Sequence, residues 1–353
     1  MERTNKNHYF QMLMMIIPLV IFLASGCTGQ DGPVSPSPSA EISVEAATAT
    51  LPPVEDTATP EPEPVRVVLV GSQETTPQFF AQAQLVLNEL AASAGLAFEV
   101  HSTAGELNLN NSSGVVVFLE TPPDLEALVS ASSGVHFVVI SAQDRAPAEN
   151  LSVVRLHPDR EAFLAGYLTT LIAPDWRAGA LLPSDSAIGA DLSVAFQNGG
   201  RYLCGICATQ FAPYTSFPIV AAMPANSDAA SWQYGMQELE KLVTYTLYVA
   251  PEAASMEVFA LLAGKGIVLV GGQTPPQEIL PLWAATVTQD VAQPLRQVFA
   301  GAISGQAGRL VDATLMVTDV NPELYSEGRQ RLVNELIPAL EDGSVFTLNV
   351  PLE

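Results

Sequence analysis

The sequence predicts an α/β protein of two doubly wound lobes, each built on a parallel sheet, with a cleft between the lobes. Short apolar, β-branched segments alternate with amphipathic helical patterns from residue 65 onward. The alternation occurs in two blocks over roughly 290 residues, more than one hydrophobic core usually holds. The apolar segments show no polar face, which is typical of parallel strands that helices cover on both sides.

The first block starts with a β-branched segment that ends at Gly71 and Ser72. An amphipathic pattern follows at once and predicts a crossover helix, as in a strand–helix–strand unit. The predicted strands of this block span residues 65–70, 96–101, 114–120, 135–140 and 151–156, and its predicted helices span residues 77–94, 123–130 and 158–172. We assign residues 65–175 to an N-terminal lobe.

A second block of the same kind follows and predicts a C-terminal lobe over residues 176–282. Its predicted strands span residues 178–182, 218–223, 244–249 and 267–270, and its predicted helices span residues 188–202, 229–242 and 255–265. We expect residues 283–353 to cross between the lobes and to complete them with helices and a strand. Ligands of doubly wound folds bind beyond the carboxyl ends of the strands. The loops of interest therefore follow Val70, Ile140, Leu182, Met223 and Val270.

The N-terminus carries the pattern of a lipoprotein signal. Arg3 and Lys6 precede an apolar stretch of roughly 13 residues, shorter than the about 20 that a spanning helix needs. Small residues then lead to Cys27. We predict a signal peptide over residues 1–26 and acylation of Cys27, with palmitate among the acyl chains, which would anchor the protein on the outer face of a bacterial cell membrane. The alternative is an uncleaved anchor helix with an incidental cysteine.

Residues 27–64 are predicted to form a disordered tether between this anchor and the lobes. After Cys27 the segment contains eight prolines and no lysine, arginine or aromatic residue. Such a composition cannot bury enough apolar surface to offset the entropy of ordering. The tether would hold the lobes away from the membrane.

Charge and motifs exclude several functions. The chain has 37 acidic and 14 basic residues, a net charge of −23, so it would repel nucleic acid. It has no dinucleotide fingerprint, phosphate loop or nucleophile elbow after a predicted strand, which argues against an enzyme and against a cofactor. The four histidines lie apart from one another and from other ligands, so no metal site is predicted. Nearly all of the acidic residues are expected on the solvated surface. We expect a monomer.

Cys204 and Cys207 are the only cysteines after Cys27. In an exported protein this even count favours a structural disulfide, and two reduced thiols are the main alternative. A redox motif would stand at the start of a helix after a first strand, which this pair does not.

Several segments resemble the basic membrane protein family of bacterial solute-binding lipoproteins. They are Arg-Glu-Ala-Phe-Leu-Ala-Gly-Tyr-Leu at residues 160–168, Ala-Phe-Gln-Asn-Gly at 195–199, Gln-Asp-Val at 289–291 and the segment from Leu340 to Pro351. The resemblance covers residues 65–353. It implies a type 1 periplasmic-binding-protein fold and a purine nucleoside delivered to an ATP-driven (ABC) importer.

The resemblance also implies ligand positions. The family's nucleoside-binding members place a stacking phenylalanine after the first strand, where this chain has Ser72, Gln73, Phe79 and Phe80. The family's aspartate after the late strand corresponds here to Gly272 and Gln273, and the lysine before the late helix corresponds to Gln289. The aromatic residue of a further loop is replaced by Pro224 and Ala225.

Groups in other predicted loops could complete such a site. Ser141, Gln143 and Asp144 follow a strand of the first lobe, and Asp228 follows one of the second. Each has a simpler role: Asp144 also suits a turn, and Asp228 suits a helix N-cap. Of the adjacent Phe79 and Phe80, one is expected on the core face of the helix.

Together these observations predict a membrane-tethered, extracytoplasmic solute-binding receptor of an ABC-type importer. Its two lobes would close over a small polar ligand, a nucleoside by the resemblance, and hand it to a permease or report it to a sensor. The alternative is a degenerate binding fold that serves as an envelope interaction or signalling module.

Overall fold

The computed structural model describes residues 65–72, 77–107, 109, 114–186 and 191–348. The predicted signal peptide, Cys27, the tether and Gln73 lie outside the described residues. Within the described ranges, no helix has the length and apolar character needed to cross a membrane.

Each lobe is built on a six-stranded sheet, as the sequence predicts for a doubly wound α/β protein. The strands of the first sheet are Arg66–Val70 (β1), Ala97–His101 (β2), Gly114–Phe118 (β3), Val135–Ser141 (β4), Leu151–Arg155 (β5) and Leu310–Asp312 (β11). They lie in the order β11-β5-β4-β3-β1-β2, and all neighbours are parallel.

The second sheet repeats this arrangement. Its strands are Ala178–Pro183 (β6), Ile219–Met223 (β7), Thr246–Val249 (β8), Val268–Gly271 (β9), Trp283–Asp290 (β10) and Thr314–Thr318 (β12). They lie in the order β12-β10-β9-β8-β6-β7, in which β12 alone is antiparallel to its neighbour. The predicted fold class is confirmed. Residues 283–353 were expected to contain one strand without defined bounds, whereas the structure has three there, β10, β11 and β12.

Helices connect the strands and cover the sheets. They are Pro77–Ala94 (α1), Leu125–Ala131 (α2), Pro158–Ile172 (α3), Asp191–Cys204 (α4), Ala229–Lys241 (α5), Met256–Lys265 (α6), Ala292–Ile303 (α7) and Glu327–Glu341 (α8). The predicted bounds of α1 and α3 agree with the structure, because both helices begin at a proline, which suits the first turn.

Helix α3 packs in the second lobe, although the sequence analysis placed it in the first. Its buried side chains share a core with those of α4, β6 and β10. The two helices approach closely: a Cβ on Gly166 of α3 would collide with the carbonyl oxygen of Phe196, and one on Gly199 of α4 with that of Phe163. These glycines belong to the segments that carry the family resemblance. The change of lobe therefore falls before α3, not at residue 175.

The chain crosses between the lobes three times, between β5 and α3, between β10 and α7, and between β11 and β12. Two of these crossovers are joined through Asp312, whose carboxylate accepts hydrogen bonds from Arg155 at 2.6 Å and His157 at 2.9 Å. The guanidinium of Arg155 is the main reason that the pKa of Asp312 is lowered. Short crossover segments that are joined by hydrogen bonds are the expected geometry of a hinge between lobes.

Candidate ligand-binding cleft

A cavity of about 250 Å³ lies between residues of the two lobes. It opens at the carboxyl ends of β4 and β5 in the first sheet and of β6 and β8 in the second, where doubly wound folds bind their ligands. Its lining consists of Gln78, Phe79, Ala142, Leu156, Pro158, Glu161, Ala162, Leu182, Pro183, Ser186, Leu192, Tyr248, Ala250, Pro251, Glu252 and Gln289.

The wall from the first lobe is mostly apolar. Phe79 is the third residue of α1, and it is buried where the helix packs on the first sheet. Leu156 and Ala142 follow β5 and β4. Gln78 is the one polar residue among the described lining residues before the first crossover, and its Oε1 atom is buried without a hydrogen-bond partner in the described structure.

The wall from the second lobe carries the ionisable groups. Glu161 stands in the first turn of α3, Tyr248 lies in β8, and Glu252 follows β8 in a short 3₁₀ turn. Tyr248 is 3% exposed, and its ring packs against Phe196 at 6.0 Å between centroids. Since these residues come from three separate elements, the fold alone brings them to one cavity.

Gln289 orients Glu161. Its Nε2 group donates to Glu161 Oε2 at 2.9 Å, and its Oε1 accepts from the backbone N–H of His157 at 2.7 Å. Gln82 of α1 reaches the same place from the first lobe, because its side chain donates to the Gln289 carbonyl and accepts from the Val291 N–H at 3.2 Å. Gln289, 1% exposed, therefore links the cavity to the first two crossovers.

Burial perturbs the acidic groups of the cavity. It raises the pKa of Glu161 to about 7, with a smaller upward contribution from the charge of Glu252, while the Gln289 hydrogen bond acts in the opposite direction. The pKa of Glu252 is also raised, first by the surrounding protein and then by Asp185, although its side chain still meets solvent. Burial and the two glutamates raise the pKa of Tyr248 well above its ordinary value, so its hydroxyl stays protonated.

Two of the predicted ligand residues line this cavity, Phe79 and Gln289. Phe80 packs partly buried against the core of the first lobe and is not in the lining. The sequence did not indicate which of the two adjacent phenylalanines lines the cavity, and in the structure it is Phe79.

The other predicted residues lie around the cavity or away from it. Ser141 is buried, and its hydroxyl accepts from the Gln143 N–H at 3.0 Å to form a turn that places Ala142 in the lining. Asp144 is 95% exposed and pairs with Arg155 at 3.9 Å. Gly272 packs beside Tyr248 and Pro251. None of these positions belongs to the lining.

Three further candidates have contacts of a different kind. Asp228 caps α5, where its carboxylate accepts from the Ser231 N–H at 2.9 Å and the hydrogen bonds from Ser231 lower its pKa. The carbonyl of Gln273 accepts from Thr286, and Ser72 follows β1 without lining the cavity.

Glu161, Tyr248 and Glu252 were missed by the sequence analysis. Glu161 and Glu252 were two among 37 acidic residues, for which a solvated position is the default. Tyr248 lies inside a strand that reads as continuously apolar. Glu161 had one available signal: it stands inside the segment of residues 160–168 that carries the resemblance.

Cys204 and Cys207 are joined by a disulfide bond, with their Cα atoms 5.1 Å apart. The bond closes the turn after α4, away from the cavity lining. Among the residues described, no group of three or more histidine, cysteine or acidic side chains is placed to hold a metal ion.

Comparison with known proteins identifies structures of similar fold but does not identify a family. No protein-family model and no curated protein matches the sequence significantly. An ABC transporter solute-binding protein from Conexibacter woesei DSM 14684 has a similar structure, with a TM-score of 0.58 at 14% identity over 81% of this chain and 98% of its own. A solute-binding protein of an ABC transporter system from Aeropyrum pernix K1 gives a TM-score of 0.59 at 15% identity, over 80% and 93% of the two chains.

A transcriptional activator of the comK gene from Bacillus halodurans is similar to the same extent, with a TM-score of 0.58 at 13% identity over 80% of this chain and 99% of its own. At these identities the likeness shows the fold alone. It supports the type 1 periplasmic-binding-protein-like architecture that the sequence predicts, and it does not single out the basic membrane protein family.

Proposed function

We propose that this protein is a membrane-tethered, extracytoplasmic solute-binding receptor of an ABC-type importer, which binds a small polar ligand between its lobes. The observation that carries the proposal is the cavity of about 250 Å³ at the carboxyl ends of strands from both sheets. Its lining combines apolar faces with a few fixed polar groups, which is the usual composition of a small-molecule site. The three crossovers supply the hinge that closure of the lobes requires.

The nucleoside is the ligand class that the family resemblance implies. In its favour, Phe79 presents a ring to the cavity, and the glutamates could accept hydrogen bonds from ribose hydroxyls. The other positions inferred from the resemblance, Phe80 and Gly272 with Gln273, lie outside the lining. A nucleoside therefore enters the ligand panel beside sugars, amides and amines.

Thermal melting of the purified full chain against this panel tests the receptor function. A solute at 100 times its dissociation constant stabilises the folded state by about 2.7 kcal/mol, a rise of several degrees in melting temperature. A rise with any solute class supports the receptor. If no solute class raises the melting temperature, the receptor proposal fails, and the envelope interaction or signalling module becomes the better description.

The membrane anchor in this proposal rests on the sequence around Cys27, outside the described residues. Replacing Cys27 with serine removes the acylated thiol. We expect the Cys27→Ser protein to leave the membrane fraction on cell fractionation, while a Cys204→Ser protein stays in it. Retention of Cys27→Ser in the membrane would contradict the lipid anchor and favour an uncleaved helix.

A further inference from the structure

The cavity is lined by negative charge without a compensating cation. Glu161 and Glu252 face it, and none of its described lining residues is a lysine, arginine or histidine. Glu252 has an exposed side chain and needs no partner, but Glu161 is only partly accessible, and a carboxylate with little access to solvent is unfavourable unless it is paired. One oxygen of Glu161 accepts from Gln289, a neutral donor, which leaves the charge itself unbalanced.

A second observation concerns the polar groups around the cavity. Ser186 Oγ and Gln78 Oε1, from the two walls, are buried without a hydrogen-bond partner among the described residues. Tyr248, which is 3% exposed, lines the same cavity, and its hydroxyl makes no hydrogen bond with another described residue. Buried polar atoms are normally satisfied, so these two atoms beside the Tyr248 hydroxyl indicate a ligand that supplies their partners.

The remaining lining defines the rest of the ligand. Phe79 and Leu156 from the first lobe and Leu182 and Leu192 from the second present apolar surface. A ligand that fills the cavity therefore needs an apolar part as well as hydrogen-bond donors. A carboxylate or phosphate on the ligand would meet two glutamates and no positively charged side chain among the described lining residues.

We propose that the cleft binds a small protonated amine with an apolar body, whose ammonium group contacts Glu161, Glu252 and the Tyr248 hydroxyl. The inference rests on the proposed receptor function and replaces the nucleoside of the resemblance with an organic cation. An ammonium group has three donors and no acceptor, which matches two carboxylates and a hydroxyl oxygen. Charge-assisted hydrogen bonds of this kind are the stronger class.

Gln289 acts as a positioning residue in this arrangement. Its Nε2 group donates to Glu161 Oε2, so that Oε1 of Glu161 remains for the ligand. The hydrogen bond from the His157 N–H to Gln289 Oε1 in turn fixes the orientation of the Gln289 side chain. A bound cation would favour the ionised carboxylate and so lower the raised pKa of Glu161.

The test compares amines with neutral molecules of the same skeleton. Phenethylamine and 2-phenylethanol form one pair, and 1,4-diaminobutane and 1,4-butanediol form another, each titrated calorimetrically into the full chain at pH 8. We expect the amines to bind and the alcohols to bind at least about tenfold more weakly. Glu161→Gln should weaken amine binding by at least about tenfold.

Glu323→Gln is the matched control, since it removes the same charge at an exposed position outside the lining. It should leave amine binding unchanged, which separates the cavity from attraction to an acidic surface. Equal binding to the wild type and Glu161→Gln would overturn the proposal. Binding of nucleosides or sugars in preference to every amine would overturn the cation while keeping the receptor. If no compound of the panel binds, both the cation and the receptor function are contradicted.

Discussion

The two walls of the cleft differ in chemistry although the two lobes share one strand order. The first lobe offers Phe79, Ala142 and Leu156, with a single amide at Gln78. The second lobe offers two carboxylates and a tyrosine hydroxyl, held on α3, β8 and the turn after β8. The comparison indicates that the second lobe selects the ligand by charge, whereas the first lobe covers it with apolar surface.

The difference also concerns how each wall is held. Phe79 belongs to the hydrophobic core of its own lobe. Glu161 instead depends on Gln289, which is bonded to the first crossover and is approached by Gln82 from the other lobe. The charged wall is therefore connected to the hinge, so its ionisation and the position of the lobes are expected to influence each other.

The largest effect we expect is on the stability of the empty protein. Folding raises the pKa of Glu161 from 4.5 to about 7, so the folded state binds this proton more tightly than the unfolded chain. The free energy of unfolding therefore falls as the pH rises from about 4.5 to about 7. Glu161→Gln removes this penalty and should stabilise the empty protein by up to about 3 kcal/mol at pH 8.5, with little change at pH 4.

Urea denaturation at the two pH values measures this difference. Glu323→Gln, which removes an exposed carboxylate, should show no comparable gain at pH 8.5. If Glu161→Gln is no more stable than the wild type at pH 8.5, the second wall does not hold an uncompensated charge, and the contrast between the walls disappears.

The next effect concerns the pH dependence of amine binding. Below about pH 7 the empty protein holds a proton on Glu161 that the ammonium group must displace. The neighbouring groups are Glu252, whose pKa is also raised, and Tyr248, which stays protonated. Phenethylamine affinity should therefore fall by up to about tenfold per pH unit below the pKa, or about fiftyfold between pH 7 and pH 5.

Calorimetry at pH 6 in two buffers of different ionisation enthalpy should show release of a proton on binding. The residual binding of Glu161→Gln should vary less over the same pH range, because only Glu252 then titrates beside the ligand. A wild-type affinity that is flat from pH 8 to pH 5 would show that Glu161 is not the group that meets the amine.

A smaller effect is expected for Tyr248→Phe. The change removes the hydroxyl while the ring keeps its packing against Phe196. Because one hydrogen bond to the ammonium group is lost, phenethylamine should bind about five- to tenfold more weakly, with stability changed by less than about 1 kcal/mol. Unchanged affinity in the titration would place the amine away from β8.

Much of the fold could be predicted from sequence because its signals are local. The β-branched segments at β1, β3 and β4 are continuous, and α1 and α3 begin at prolines. Strand β10 gave no such signal, since its buried residues include the polar Thr286, Thr288 and Gln289. The lobe to which α3 belongs could not be read either, because a helical pattern defines an apolar face and not the sheet that this face covers.

The site was harder to predict than the fold because its chemistry is assembled from distant elements. Glu161, Tyr248 and Glu252 share no motif, and only the parallel topology brings the ends of α3 and β8 to one cavity. Gln289 was found through the resemblance, while its role as a partner of Glu161 required the structure. The adjacent phenylalanines Phe79 and Phe80 illustrate what a sequence pattern cannot predict. Their spacing indicates that one of them is a core residue, but it does not indicate which ring also lines the cavity.

The smallest effect should come from the first wall, and these phenylalanines provide a matched pair. Phe79→Leu keeps an apolar side chain in the lining but removes part of the surface that covers the ligand. We expect phenethylamine to bind roughly two- to threefold more weakly. Phe80→Leu changes a neighbouring ring that packs in the same core outside the lining, so it should leave binding unchanged. If Phe79→Leu weakened binding more than Tyr248→Phe, the first lobe would be selecting the ligand, because its apolar wall would then contribute more than the polar wall of the second.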